Sequence, residues 1–297
     1  MFNSRSKRRN DCFHREAKSH FCRKINLRKK SFLLSKGLFS TFKESLTVKI
    51  LVLVKEIIDT NSKIVFNKQK KLDESQVKWV VNLYDEYALE EAIRIKEQFG
   101  GEVVIYSVGN DRTKDTLNYI MSMGADRAVL IKSELTDAKS VSEILAKQIR
   151  EKDADFDLIL AGWIGIDWNR GQVPGRVSSV LEVPFVNVVI DIDINGKIVT
   201  CEKEGESSNE IIDVQLPALI TVQRGINEPR YPSVLSIMDN TEKKIEIVDN
   251  IDQSTTKKAI IKIEPEKNRK KTYMINESDP ELAVKMLMKK MIADKVM

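Results

Sequence analysis

Histidine is almost missing from this 297-residue chain, and both copies, His14 and His20, fall in the first 47 residues together with two of the three cysteines, Cys12 and Cys22. The 250 residues that follow hold no histidine and one cysteine, Cys201. They can build no Ser-His-Asp or Cys-His nucleophile, no histidine-bearing zinc site and no histidine general base. A single cysteine closes no internal disulfide, which fits a reducing compartment. If this body works in metabolism, a bound cofactor carries the chemistry. Long apolar runs are also absent. The longest, Leu158–Ile166, is about half of the roughly 20 residues that span a bilayer, so no transmembrane segment is expected. Neither GxGxxG nor GxxxxGK[ST] occurs, which removes the standard dinucleotide fingerprint and the P-loop.

The charge present is unevenly placed. The chain has 49 Lys+Arg against 44 Asp+Glu, but residues 1–47 hold 13 of the bases and three of the acids (Asp11, Glu16, Glu44). Residues 48–297 carry 36 bases against 41 acids, so a basic nucleic-acid surface is not indicated for the body. The basic leader, residues 1–47, lacks the apolar centre of a secretory signal. Three readings of it stay open: upstream sequence read from a start chosen too early, a mitochondrial-type presequence, or a working tail. The first and last imply a cytoplasmic protein, the second a matrix protein. Cys12-x-His14 and His20-x-Cys22 fit no standard zinc spacing, and no metal site is assigned.

The body alternates strands and helices. Val48–Val54 is aliphatic on both faces, as in a buried parallel strand. A polar excursion from Lys55 to Val81 has room for a hairpin around Lys63–Phe66. Asn82 is placed to cap a helix whose first turns carry Asp85, Glu86, Glu90 and Glu91, acids that suit the positive end of the dipole. Its stripe is Ala88, Ala92, Ile95 and Phe99, and Gly100-Gly101 stop it. Strand Glu102–Ser107 follows, then a helix with Asp111 as cap and Leu117, Ile120 and Met121 inward, strand Arg127–Ile131, and a capping box Ser140-x-x-Glu143 opening a further helix. Strand Leu158–Gly162 leads through a glycine-containing turn into helix Gln172–Leu181. This pattern predicts an α/β fold with a doubly wound, mostly parallel sheet. From Val186 short β-rich runs (Val186–Ile190, Lys197–Thr200, Glu210–Val214, Leu219–Val222) predict a β-rich appendage. The Pro-rich Asn227–Ser233, a charged, weakly structured stretch over Asp239–Thr272, and a C-terminal helix opened by Asp279-Pro280 complete the chain.

In such a sheet ligands bind outside the carboxyl ends of the strands, near the switch in strand order. The segments there are Val54-Lys55, Ser107-Val108-Gly109 and the turn Gly162–Gly175. Backbone N–H groups at a helix N-terminus and the charge of Arg170 suit a phosphate, though an ordinary loop with glycines for geometry explains the turn equally well. Asp167 either binds a ribose or caps the following helix. Trp163 and Trp168 either stack on a ring or pack. Asp85 and Glu86 read as surface acids complementing the helix dipole, and Cys201 as an inert strand residue.

Several motifs agree in order and spacing: Val48–Lys55 with Asp59-Thr-Asn61, Asp85–Ala92, Ser107-Val-Gly109, Met123–Ala128, Gly171-Gln-Val173, Leu216-Pro-Ala-Leu219 and Asn227–Ser233. Over Val48–Ile247 the chain resembles the electron transfer flavoprotein beta subunit. The resemblance implies an adenine-nucleotide α-hydrolase-like, Rossmann-like fold and a heterodimer with an alpha subunit that holds the redox FAD. It implies an electron carrier rather than an enzyme, with no catalytic residues of its own. It places AMP, or a second FAD in electron-bifurcating members, against Leu53, Asn82, Leu83, Tyr84, Asp85, Val108, Asp167, Asn169, Arg170, Gly171, Gln172, Val173 and Gly175. Val234 and Leu235 are implied to dock on partner dehydrogenases. Residues 48–235 would be the nucleotide-binding domain, and 236–297 a linker and helical arm reaching the alpha subunit.

Two departures stand out. Asn169 and Arg170 replace an acid and a Thr of the usual turn, which favours more phosphate charge, and Ser207-Ser208 replaces Gly-Gly. The implied function is shuttling electrons from dehydrogenases of the acyl-CoA type, as in fatty acid oxidation, to a quinone oxidoreductase or ferredoxin. The alternatives are a bifurcating subunit using NADH and a stand-alone nucleotide sensor like the universal stress proteins.

Overall fold

The computed structural model describes residues 47–67, 72–133, 137–239, 245–249 and 272–296. The leader with its Cys/His set, and most of the charged stretch 239–272, lie outside the described residues. The described chain divides into two units, one drawn from residues up to Thr60 with Lys78–Lys258, the other from Asn61–Val77 with Ala259–Met297.

The first unit is built on one nine-stranded sheet. In chain order its elements are β1 (Val48–Leu53), β2 (Glu56–Ile58), β3 (Trp79–Val81), α1 (Leu83–Phe99), β4 (Gly101–Gly109), α2 (Thr113–Ser122), β5 (Arg127–Lys132), α3 (Ala138–Lys152), β6 (Leu158–Gly162), α4 (Val173–Leu181), β7 (Phe185–Asn195), β8 (Ile198–Lys203), β9 (Glu210–Gln215), β10 (Ala218–Val222), α5 (Val234–Asp239) and β11 (Ile245–Asp249). The sheet order is β11-β5-β4-β1-β6-β10-β7-β8-β9, while β2 and β3 form a separate antiparallel pair. Pairing is parallel from β11 to β7 and antiparallel from β7 through β9. Sheet growth runs from β1 outward through β4 and β5, then returns to β6 on the other side of β1, so the switch in strand order lies between β1 and β6.

Both faces of the central strands are buried, as their unbroken aliphatic sequences require. Ile50 and Val52 pack with Leu89 and Ala92 of α1 and Leu117 and Ile120 of α2 in one core, which Val199 and Cys201 of β8 extend. Leu51, Leu53 and Tyr106 pack with Ile144 and Ile149 of α3 and Val177 of α4 in the other. The sheet is thus doubly wound. The β-rich stretch continues the same sheet as an antiparallel meander, because its inward residues Val199, Cys201 and Val214 join the first core.

Four local expectations need correction. Asp111 does not cap α2; its carboxylate pairs with Lys114 and Lys132 at 2.7 and 2.8 Å, and Arg112 takes the cap position. Helix α3 begins earlier than the Ser140/Glu143 box, because Asp137 accepts the Ser140 N–H at 3.1 Å and leaves Ser140 in the first turn. The hairpin arms after β1 are β2 and β3, and among the described residues the expected place holds an isolated Phe66–Leu72 bridge. Residues 245–249, inside the stretch read as weakly structured, form β11 on the outer edge of β5.

In the second unit α6 (Pro280–Ala293) has Asp279 as cap, its carboxylate accepting the Glu281 N–H at 3.0 Å, and proline in the first turn. Among the described residues no helix is long and apolar enough to cross a membrane.

Candidate functional site

The carboxyl ends of β1 and β6 are joined by one buried carboxylate. Asp85, in the first turn of α1 and 5% exposed, accepts the Lys55 N–H at 2.8 Å and the Gly162 N–H at 3.1 Å. Asn82 also donates to it from Nδ2 at 3.0 Å. Asp85 is therefore not a surface acid: it fixes the spacing of the two strands at the switch. Burial pushes its carboxyl up to about 7, against the opposing pull of the three donors and the Lys55 charge. Glu86 beside it is half-buried, and burial raises its carboxyl as well. At Gly162 a Cβ would stand 2.4 Å from the Asp85 carboxylate and 2.6 Å from Tyr84 Cβ, so only glycine lets α1 close on β6.

Asn82 occupies the cap position of α1, yet its side chain caps nothing. It donates to Ile164 O at 3.0 Å and accepts the Ile166 N–H at 3.2 Å, holding the turn after β6 against the start of α1. Lys55 Nζ crosses the same gap to Asp167 at 2.6 Å, so Asp167 pairs with a lysine rather than capping α4. The turn then tightens: Asn169 donates to Gly165 O at 2.8 Å, and Asn169 and Gly171 take φ of 50° and 53°. A Cβ on Gly171 would sit 2.9 Å from Trp163 O. The Arg170 guanidinium lies 4.9 Å from the exposed Trp168 ring. Trp163 meets Tyr84 edge-on at 5.6 Å, and its indole N–H is buried with no hydrogen-bond partner among the described residues. The Ser107 hydroxyl, near the carboxyl end of β4, is buried and unpartnered in the same way. Two orphaned polar groups at this edge are costly unless something meets them.

Comparison of the helix N-termini singles out α4. Helix α1 carries Asp85 and Glu86 in its first turn. Helix α2 begins beside Glu56, whose carboxylate receives Arg112 Nε at 3.2 Å and the Thr113 and Thr116 hydroxyls at 3.1 and 2.7 Å. Helix α3 is capped by Asp137. Helix α4 has no side-chain cap and no acid in its first turn, and Pro174 has no N–H to contribute. Among the described residues the positive end of its dipole meets neither a side-chain cap nor a first-turn acid, which is the arrangement that receives an anion.

The remaining expected residues divide into two sets. Leu53 is buried at the end of β1, Leu83 is exposed, Val108 is half-buried near the end of β4, and Gln172 and Val173 open α4. Gly175 is the third residue of α4, where a Cβ would be 3.3 Å from the Phe185 ring, so its lack of a side chain lets that ring pack closely. Val234 and Leu235 sit on α5, which rests on α2, and are 74% and 72% exposed. Lys55, joining Asp85 through its N–H and Asp167 through Nζ, is placed at this edge by the sequence but given no role there. Its signal was its position directly after the first strand. A groove of about 430 Å³ between the C-terminal half of α1 and β7, lined by Glu91, Arg94, Phe99 and Asp191, includes none of these residues. Among the described residues no cluster of three or more His, Cys, Asp or Glu could hold a metal ion.

The sequence profile described as Electron transfer flavoprotein domain matches residues 69–253. The chain is 40% identical over 201 residues to the electron transfer flavoprotein subunit beta of Bacillus subtilis, covering 66% of this chain and 77% of that protein. It is 36% identical over 201 residues to the subunit of the same name from Syntrophomonas wolfei, covering 67% and 79%. To the caffeyl-CoA reductase-Etf complex subunit CarD of Acetobacterium woodii it is 35% identical over 209 residues, covering 69% and 79%.

Proposed function

This chain belongs to the electron transfer flavoprotein family as a beta subunit, and from that premise we propose that it binds an adenine nucleotide at the β1/β6 switch and works as half of a heterodimeric electron carrier. The observation that carries the nucleotide reading is the uncapped, acid-free start of α4 beside Arg170, where a phosphate group is stabilised by backbone N–H groups and by charge. The residues present fit such a group. The orphaned Trp163 indole N–H and Ser107 hydroxyl offer hydrogen bonds to a polar ligand, and Gly171 leaves its backbone open to close approach. Leu53 and Tyr84 supply apolar contact for a base. Asn82 and Asp85 act one step back: their side chains are spent on Lys55, Gly162, Ile164 and Ile166, so they shape the site.

In this reading an alpha subunit holds the redox FAD, a flavin supplies the one- and two-electron chemistry, and this chain binds, orients and excludes water. Electrons come from dehydrogenases of the acyl-CoA type, which dock against Val234 and Leu235, and leave to a quinone oxidoreductase or a ferredoxin. A second reading, with FAD in place of AMP in this subunit and bifurcating activity, is favoured by the extra positive charge of Arg170, which suits a pyrophosphate.

The test is to co-express the chain with its alpha partner, denature the purified heterodimer and quantify released nucleotides. One FAD and one AMP per heterodimer supports the ordinary carrier, and two FAD the bifurcating form. Absence of any adenine nucleotide beyond the alpha-bound FAD overturns the site. Gly171→Val, which meets Trp163 O and forces an unfavourable φ, is expected to lower nucleotide content at least about tenfold. Unchanged content would reduce the turn to a plain loop.

A further inference from the structure

Just before the exposed helix α5, the chain is fastened to α1 by Arg230 and Asn227. Arg230 donates to Glu90 from its backbone N at 3.1 Å, from Nε at 2.8 Å and from Nη2 at 3.0 Å. The same guanidinium reaches Glu97, two turns further along α1, from Nη1 at 2.6 Å and Nη2 at 3.2 Å. The Glu90 side chain is 6% exposed while that of Glu97 is 56% exposed, so the clamp has a buried half and a wet half. Paired carboxylates hold the Arg230 guanidinium firmly charged. Three residues earlier, Asn227 Nδ2 donates to Tyr87 O at 3.0 Å and to Glu91 at 2.9 Å, and its Oδ1 is buried with no hydrogen-bond partner among the described residues. Burying an unmet acceptor is a cost, and it is tolerated where the backbone of 227–230 is held on α1.

Beyond this anchor the side chains turn to solvent: Tyr231 is 90% exposed, and Val234, Leu235, Ile237 and Met238 are all more than half exposed. A six-residue helix with that much exposed apolar surface has little packing of its own to fix its direction. Beyond its contact with α2, its placement depends on where the chain enters it. We propose that Arg230 is a positioning residue for the α5 surface: the planar fork satisfies Glu90 and Glu97 together and so presents Val234 and Leu235 to a partner in one preorganised geometry. Lysine, a point charge, cannot bridge both carboxylates in this way. The inference rests on the reading that Val234 and Leu235 form a docking surface, and it adds what holds that surface in place. Preorganisation of this kind lowers the cost of association without touching the redox chemistry.

The experiment uses the full heterodimer with an acyl-CoA dehydrogenase from the same organism as electron donor, measuring KM for the heterodimer, kcat, nucleotide content and amide hydrogen exchange of 234–239. R230K is expected to raise KM about tenfold, corresponding to the ordering one bidentate anchor supplies, with kcat within about twofold, nucleotide content unchanged and exchange in α5 faster. E97Q, which removes only the wet half of the clamp and leaves the buried pair intact, is expected to raise KM about twofold and keeps the test usable if R230K folds poorly. L235A separates the two ideas. If L235A raises KM while R230K and E97Q do not, the positioning role is overturned and the docking surface stands. If L235A also leaves KM unchanged, the docking reading fails and the inference with it. Loss of nucleotide or a fall in kcat in R230K would instead mark Arg230 as a general structural residue and overturn the proposal.

Discussion

Asp85 gathers two strand ends and one amide side chain around a carboxylate that has almost no contact with water. Its acidity then becomes a stability term. The carboxyl rises from 3.8 to about 7 on folding, burial being the main cause. Between about pH 4 and 7 the folded chain keeps a proton that the unfolded chain has released, so stability falls as pH rises through that window and levels off above it. The effect is on the order of a few kcal/mol, and it runs opposite to that of Asp111, lowered to about 2 by Lys114 and Lys132, whose contribution is lost only as pH falls below about 4. Urea midpoints measured from pH 4.5 to 8 should therefore decline toward neutrality in the parent chain. In Asp85→Asn, which carries no charge at any of these pH values, that decline should be much shallower, the remainder coming from the half-buried Glu86 and the buried Glu91, whose carboxyls burial also raises; an identical slope would assign the titration elsewhere. None of this was legible locally. Asp85 reads as a helix-dipole acid from its neighbours in sequence, and its partners Lys55 and Gly162 lie 30 and 77 residues away.

Among the elements, those with apolar residues on both faces or a glycine stop were readable, and β1, α1, β4, β5 and β6 fall close to where the pattern puts them. Helix starts were less so, because several residues in a row have capping chemistry and tertiary partners choose among them. Asp111 and Ser140 both qualify, but Lys114 and Lys132 occupy the first, and Asp137 outcompetes the second by reaching the Ser140 N–H. This assignment has a direct check in chemical denaturation. Asp137→Ala should cost about 1 kcal/mol through the lost cap, whereas Glu143→Ala, which removes only an exposed pair with Lys139 at 3.7 Å, should fall within about 0.5 kcal/mol of the parent. The reverse order would restore the Ser140/Glu143 box. Strand β11 was hidden for another reason. As an edge strand it buries little and is only five residues long, so Ile245-Glu-Ile-Val-Asp249, with an acid at its second and last positions, does not stand out from its charged surroundings.

For the whole molecule, the alternation of strands and helices was enough to give the doubly wound sheet, and the rule that ligands sit at the switch in strand order points to the edge where Asp85 joins β1 and β6. What pattern could not supply was the sheet's extent, since joining β7, β8 and β9 to the parallel half, and β11 to β5, depends on pairings that no local period reveals. Strand β11 matters most here, because it covers the outer hydrogen-bonding edge of β5 from Ala128 to Lys132. Ile247→Pro, which cannot donate to that ladder and strains the strand, is expected to raise self-association measured by light scattering at equal concentration, with near-parent helicity. Scattering identical to the parent would mean that the β5 edge is shielded without β11. The same feature sets a clock during synthesis. More than 110 residues separate the end of β5 at Lys132 from the start of β11 at Ile245, and at ordinary elongation rates that is on the order of 5 to 20 s. For that interval the growing chain carries a finished but open strand edge, so the hazard of mispairing is greatest before the protein is fully made.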